Sequence, residues 1–223
     1  MNIVFDLDGT LIDSAPDIQS MASAVLERWG RDELSLDETR NFVGEGAANF
    51  VTRMMAARGI ENTEANHAAL YGEFIVQYEF ALDKAVFYPA AFETLSLLKA
   101  AGHGLGLCTN KPERPARAVI RHMGLEPLFD AVMAGGMINS RKPEPDMLLR
   151  TIDQLGNGPT LYVGDSEIDA STARRAGVPF ALFTRGYRKA PVSQIHQDWA
   201  FDDFSALPGI VAEAEGRALP SAS

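Results

Sequence analysis

Hydrophobic positions along the chain follow two periods. Ile3-Val4-Phe5 is a short apolar run that ends on Asp6 and reads as a buried strand. After Ile12 the spacing turns helical. Pro16 suits a first helical turn, and Ile18, Met21, Ala22, Val25, Leu26 and Trp29 share one face before Gly30 stops the run. Ser35-Leu36-Asp37-Glu38 has the form of a capping box for a second helix. Gly44-Glu45-Gly46 breaks that helix. A third, carrying Phe50, Val51, Met54 and Met55, runs to Gly59, and a longer one covers about Thr63 to Leu82. Residues 14–84 are therefore expected to be an all-helical insertion without strands.

Beyond it the pattern alternates. Helices are expected at Ala90–Ala101, Pro112–Met123, Pro145–Leu155 and Glu167–Ala176, each stopped by glycine (Gly102, Gly124, Gly156, Gly177). Strands follow at Leu105–Cys108, Ala131–Ala134, Leu161–Val163 and Phe180–Phe183. Helix, glycine and apolar strand in repetition predict an α/β fold with a doubly wound, mainly parallel sheet covered on both faces. The first strand belongs to that sheet. The expected division is a discontinuous core, 1–13 and 85–217, a helical cap, 14–84, and a disordered tail, 218–223. Hinges are expected near Asp13–Ala15 and Ala85–Tyr88.

Composition narrows the partners. A net charge of −10 over 223 residues argues against a nucleic-acid ligand, whose phosphates need a basic face. Cys108 is the lone cysteine, so no internal disulfide forms. Asp6 and Asp8 interrupt the N-terminus where a signal peptide needs an unbroken apolar region, and no run approaches a membrane span. The expectation is a cytoplasmic protein without membrane or nucleic-acid partners, a monomer or small homo-oligomer.

In open parallel sheets, sites form beyond the carboxyl ends of the strands. Those ends carry Asp6, Asp8 and Thr10 after the first strand, and Thr109, Asn110 and Lys111 after the second. Arg141, Lys142 and Pro143 stand in the loop after the third, and Gly164, Asp165, Ser166 and Asp169 follow the fourth. Four converging aspartates (Asp6, Asp8, Asp165, Asp169) repel one another unless a cation joins them. A hard divalent ion such as Mg²⁺, one per site, offsets half of that charge, and Lys142 removes more. A phosphate is then admissible. Asp6 is the candidate nucleophile, and Asp8 the acid that protonates the leaving oxygen and later activates water. Thr109, Asn110 and Lys142 are the candidate phosphate ligands.

FDLDGTLIDS, LCTNKP, RKPEP and VGDSEID resemble, in order, the four motifs of the haloacid dehalogenase superfamily, and the helical insertion resembles a type-one cap. The resemblance implies a Rossmann-like core, Asp6 as nucleophile, Asp8 as acid/base, and Thr109 and Lys142 on the phosphate. It further implies Mg²⁺ held by Asp6, Asp165 and the backbone carbonyl of Asp8, with Thr10, Ser166 and Asp169 in support. The second aspartate, Asp8, places the match in the phosphotransfer branch. LCTNKP and the cap segment RNFVGEGAANFV resemble the phosphoglycolate phosphatases of that superfamily. This implies a small anionic substrate, 2-phosphoglycolate, with Arg40, Gly44, Glu45 and Gly46 as cap specificity candidates.

Other readings stay open at this point. Within the superfamily they are a sugar phosphomutase, a pyrophosphatase and phosphatases of other small esters. A phospho-aspartate receiver module also uses an acidic Mg²⁺ pocket with Thr and Lys, but lacks a counterpart of Asp8. Cys108 to Arg114 matches the C-x5-R spacing of thiolate phosphatases, yet this loop has no glycine and Pro112 has no N–H to offer. His67, His103, His122 and His196 show no metal-ligand spacing.

Overall fold

The computed structural model describes residues 1–156 and 158–218. The expected tail thus lies outside the described residues, except Ala218, whose backbone closes the last helix. Six parallel strands form one sheet in the order β5-β4-β1-β6-β7-β8. They are β1 (Asn2–Phe5), β4 (Gly104–Pro112), β5 (Ala131–Gly135), β6 (Thr160–Gly164), β7 (Phe180–Phe183) and β8 (Trp199–Phe201). The chain builds outward from β1 to β4 and β5, then returns to add β6, β7 and β8 on the other side. This is the doubly wound order whose direction reverses beside β1, and a crevice opens at that reversal.

Alternation along β1 explains the two layers. Ile3 and Phe5 join one apolar cluster with Leu95, Leu98, Val119 and Val211, brought by α5 (Ala91–Ala100), α6 (Glu113–His122) and α9 (Leu207–Ala218). Val4 faces the other way, toward Leu148, Tyr162 and Ala173, beneath α7 (Asp146–Gln154) and α8 (Glu167–Ala176). Both faces of the strand are buried, as its unbroken apolar run requires.

Between β1 and α5 stand α1 (Ala15–Arg28), α2 (Leu36–Phe42), α3 (Ala47–Ala57) and α4 (Glu64–Tyr78). They enclose their own cluster, including Ile18, Leu26, Phe50, Met54, Leu70 and Phe74. The Ser35/Glu38 capping box starts α2 as the sequence predicts.

Two differences from the expected pattern appear, one at the junction and one in the sheet. The chain does not become helical directly after Ile12. Ile12–Asp13 (β2) pairs antiparallel with Val86–Phe87 (β3), so the way into the insertion and the way out form one ribbon. Two-residue strands carry no readable period, which is why they escape the pattern. Buried Asp17 fastens the same junction, accepting the backbone N–H of Lys84 at 2.9 Å and of Ala85 at 2.8 Å. β4 also runs four residues past its expected end, with its pairing to β5 irregular between Cys108 and Pro112. No described helix is long and apolar enough to cross a membrane.

Candidate active site

The N–H of Asp6 donates to Val163 O at 2.9 Å, which carries the β1–β6 pairing one residue beyond the strand. The chain then reverses. Gly9 adopts φ +85°, and a Cβ there would stand 2.6 Å from Asp165 Oδ2, so only glycine fits. The turn aims the Thr10 hydroxyl at Asp165 Oδ1, 2.7 Å away. Tyr187 N–H donates to Asp165 Oδ2 at 2.6 Å, and the close approach depends on Gly186, where a Cβ would fall 2.2 Å from Gly9 O. Asp6, Asp165 and Asp169 are all buried, and each offers an oxygen within 4.8 Å of the others.

These carboxylates differ in how they are satisfied. Asp169 Oδ1 accepts from Lys142 Nζ at 2.7 Å and Tyr162 OH at 2.8 Å; its Oδ2 accepts from Ser166 Oγ at 2.6 Å and Ser166 N at 3.2 Å. Burial pushes its pKa up, but Lys142 and these donors outweigh that and hold it below the usual value. Asp169 is therefore occupied with positioning Lys142 and closing the Ser166 cap of α8. Asp6 is the opposite case. Lys142 Nζ, which Asp169 also holds, is ion-paired with Asp6 Oδ1 at 2.8 Å, and beyond that ammonium no side chain among the described residues serves this buried oxygen. Burial raises Asp6 from 3.8 to about 6 against the pull of Lys142. Burial, with Asp169 and Asp6 adding repulsion, drives Asp165 well above the usual carboxylate range.

Two buried carboxylates with raised pKa values, served by one ammonium that Asp169 shares, make a site short of positive charge. The donors are hard oxygens, the set that suits Mg²⁺. The residues fit such an ion at Asp6 and Asp165.

Asp8, two residues on, is held separately. Ser14 Oγ donates to its Oδ1 at 2.5 Å, and Lys111 Nζ lies 3.1 Å and 3.4 Å from its two oxygens. Lys111 also reaches Tyr78 OH, at 3.0 Å, the last residue of α4. Thr109 is buried two residues before Lys111 on β4, its Oγ1 accepting from Lys111 N at 3.2 Å. Asp6, Asp8, Thr109 and Lys111 face a pocket closed on the insertion side by Val43, Gly44, Gly46, Ala47, Phe50, Phe74 and Tyr78.

Other expected residues are engaged with neighbours in the protein. Asn110 Nδ2 donates to Gly44 O (2.9 Å) and Lys142 O (3.0 Å), and its Oδ1 accepts from Lys142 N (2.9 Å). Its side chain ties β4 to two loops with both amide protons engaged, while the residue itself lines the pocket beside Thr109. Arg40 pairs with Asp13 at 2.9 Å in the junction ribbon. Glu45 is paired to Arg53, with Lys189 Nζ 3.6 Å away, and does not line the pocket that Gly44 and Gly46 help to form. Lys111, Tyr78 and Tyr187 carry more of the site than their sequence context suggests. Tyr187 could be found by extending the strand-end reading to β7, four residues upstream.

Cys108 is fully buried, and burial pushes its thiol up to about 12. Arg114, the other end of the C-x5-R match, is exposed and pairs with Glu79. The thiolate reading is thereby excluded.

A parallel α/β core with aspartates, a threonine and a lysine gathered at its switch point defines the class. The chain belongs to the haloacid dehalogenase-like hydrolase family, whose pattern matches residues 3–183. Among its relatives, a phosphoglycolate phosphatase of Rhodobacter capsulatus is 42% identical over 209 residues, covering 94% of this chain and 95% of the relative. One from Rhodospirillum rubrum is 40% identical over 217 residues, covering 92% and 88%. The crystal structure of a predicted phosphoglycolate phosphatase from Haemophilus somnus superposes with a TM-score of 0.89 at 31% identity, over 94% of this chain and 97% of the other.

Proposed function

We propose that this chain is a phosphatase that hydrolyses 2-phosphoglycolate to glycolate and phosphate through a covalent intermediate on Asp6. The observation that carries the reading is the contrast between Asp6, whose buried Oδ1 meets only the Lys142 ammonium that Asp169 already holds, and Asp8, which Ser14 and Lys111 engage two residues later. The 40–42% identity to phosphoglycolate phosphatases supports the substrate.

The phosphate lies against Asp6, with the Thr109 hydroxyl and the Lys142 ammonium on its nonbridging oxygens. Lys142 suits this role because Asp169 and Tyr162 fix its ammonium beside Asp6. An Asp6 oxygen attacks phosphorus, the bond to the glycolate oxygen breaks, and Asp8 supplies the proton to that oxygen. In the second half Asp8 takes the proton of a water that attacks the same phosphorus, and the Asp6–phosphorus bond breaks. Asp6, Asp165 and the Asp8 carbonyl would hold Mg²⁺, which when bound screens Asp6 from the anionic phosphate and stabilises charge on its oxygens. Residues 14–84 act as a cap over the core of 1–13 and 85–217, excluding bulk water.

The test compares kcat/KM, with Mg²⁺ present, for 2-phosphoglycolate, sugar phosphates, nucleotides and pyrophosphate. The expected result is a preference for phosphoglycolate of at least about tenfold, or about 1.4 kcal/mol. Asp6→Asn should abolish turnover while the protein stays folded. Near-wild-type rates in that variant contradict the mechanism, whatever the substrate.

A further inference from the structure

Resting on the phosphoglycolate reading, we propose that Lys111, assisted by the Tyr78 hydroxyl, recognises the carboxylate of the substrate and so sets its specificity. Among the described residues that line this pocket, Lys111 is the only basic one; Lys189 lines the adjoining cavity on the Asp165 side. Its ammonium is almost wholly buried. Three donors are available to it; they meet Asp8 Oδ1 at 3.1 Å, Asp8 Oδ2 at 3.4 Å and Tyr78 OH at 3.0 Å, while the ammonium also lies 4.2 Å from the centre of the Tyr78 ring. The long contact to Asp8 Oδ2 is the one that can yield to an incoming anion, leaving the other two in place. Tyr78 accepts from Lys111 and keeps its own proton to donate.

Position matters as much as charge. In phosphoglycolate one methylene carbon separates the leaving oxygen from the carboxylate. A group that reads the carboxylate must therefore stand next to the residue that protonates the leaving oxygen. Lys111 Nζ is 3.1 Å from Asp8 Oδ1, whereas Lys142 sits on the Asp6 side, where the phosphate belongs. The rest of the wall near Tyr78 is apolar, formed by Val43, Phe50 and Phe74. A carboxylate entering there has to be paired, since an isolated charge in such a wall is strongly disfavoured. Glu45, the acid of the Gly44–Gly46 loop, adds no repulsion because Arg53 and Lys189 hold it. A buried lysine–aspartate pair is also a poor device for stability alone, because apolar replacements often serve as well. Binding a third partner gives this one a use.

The test uses the full-length enzyme with Mg²⁺ and two substrates of equal length, 2-phosphoglycolate and ethyl phosphate, in which a methyl group replaces the carboxylate. The readout is the ratio of their kcat/KM values, which cancels any general effect on Asp8. Lys111→Met should lower that ratio about 100-fold, chiefly through KM, because it removes one partner of a buried charge contact. Lys111→Arg should recover part of it, and Tyr78→Phe, which keeps the ring, should lower it about tenfold. If Lys111→Met does not fold, Tyr78→Phe decides alone. A ratio unchanged in either variant, with both rates falling in parallel, overturns the proposal and leaves Lys111 as a partner of Asp8 only. A wild-type enzyme without preference for phosphoglycolate overturns the substrate reading and the proposal together, and shows this before any variant is made.

Discussion

Charge at the centre of the site should make the stability of the protein depend on Mg²⁺ in a pH-dependent way. Asp6 is buried, and that burial lifts its pKa from 3.8 to about 6 against the pull of Lys142 and a backbone hydrogen bond from Leu7. The folded form therefore holds this proton more tightly than the unfolded chain. The term favours the fold below about pH 4 and is lost as pH rises toward 6. Above 6 the ionised carboxylate opposes the metal-free fold by about 3 kcal/mol, from about 1.4 kcal/mol for each tenfold change in proton affinity. Asp165 is raised for the same reason and adds in the same direction. Mg²⁺ offsets this repulsion only where the carboxylates are ionised; at pH 5 it must first displace their protons. For a domain of this size 3 kcal/mol corresponds to roughly 6–12 °C in Tm. Thermal melts at pH 5.0 and 7.5, each in EDTA and in excess Mg²⁺, measure the effect. The Mg²⁺-induced rise should be several degrees larger at pH 7.5. Metal-free Asp6→Asn, which lacks the charge, should melt above metal-free wild type at pH 7.5. A Mg²⁺ increment equal at the two pH values, or larger at pH 5.0, refutes the argument.

Two substitutions outside the reacting atoms test the scaffold. Asp17→Ala removes a buried carboxylate that accepts two partly buried backbone N–H groups, those of Lys84 and Ala85, and should cost about 2–4 kcal/mol in urea unfolding with Mg²⁺ present, the range for two hydrogen bonds to a charged group. A loss under about 1 kcal/mol would show that the ribbon of β2 and β3 holds the junction unaided. Gly186→Ala places a methyl group 2.3 Å from Asp165 Oδ2 and should suppress the Mg²⁺-dependent rise in Tm and lower kcat/KM at least about 100-fold. A wild-type response to Mg²⁺ in that variant would mean that Asp165 is not a ligand.

The parts of the fold legible in the sequence are those that local chemistry decides. β1, β6 and β7 are short, mainly apolar runs followed at once by a polar residue, Asp6, Asp165 and Thr184. Ser35 with Glu38 and Ser166 with Asp169 mark helix starts through bonds that span three residues. The aspartates are legible for the same reason, since two residues along an extended chain fix how Asp6 and Asp8 stand relative to the strand. β8 is not, because Trp199-Ala200-Phe201 lies between aspartates and is half exposed at the sheet edge. The last helix was within reach: Leu207, Val211 and Ala214 recur at helical spacing and are all buried.

What escapes is set by contacts across the insertion. Lys111 and Tyr78 are 33 positions apart, and nothing in either local context shows that an ammonium will meet that phenol over Asp8. Asn110 makes the same point in reverse. Its residue type promises a ligand, but Gly44 and Lys142 each take one of its two amide protons. A loop motif therefore identifies which groups can do phosphoryl chemistry, because those groups must lie at strand ends whatever the insertion contributes. It does not identify which remain free, because the insertion and the neighbouring loops claim donors after the strands are in place. Reaction type and substrate choice are consequently encoded at different ranges: the first within a few residues of β1, β4 and β6, the second in pairs such as Lys111 with Tyr78 that exist only once residues 14–84 pack against the core.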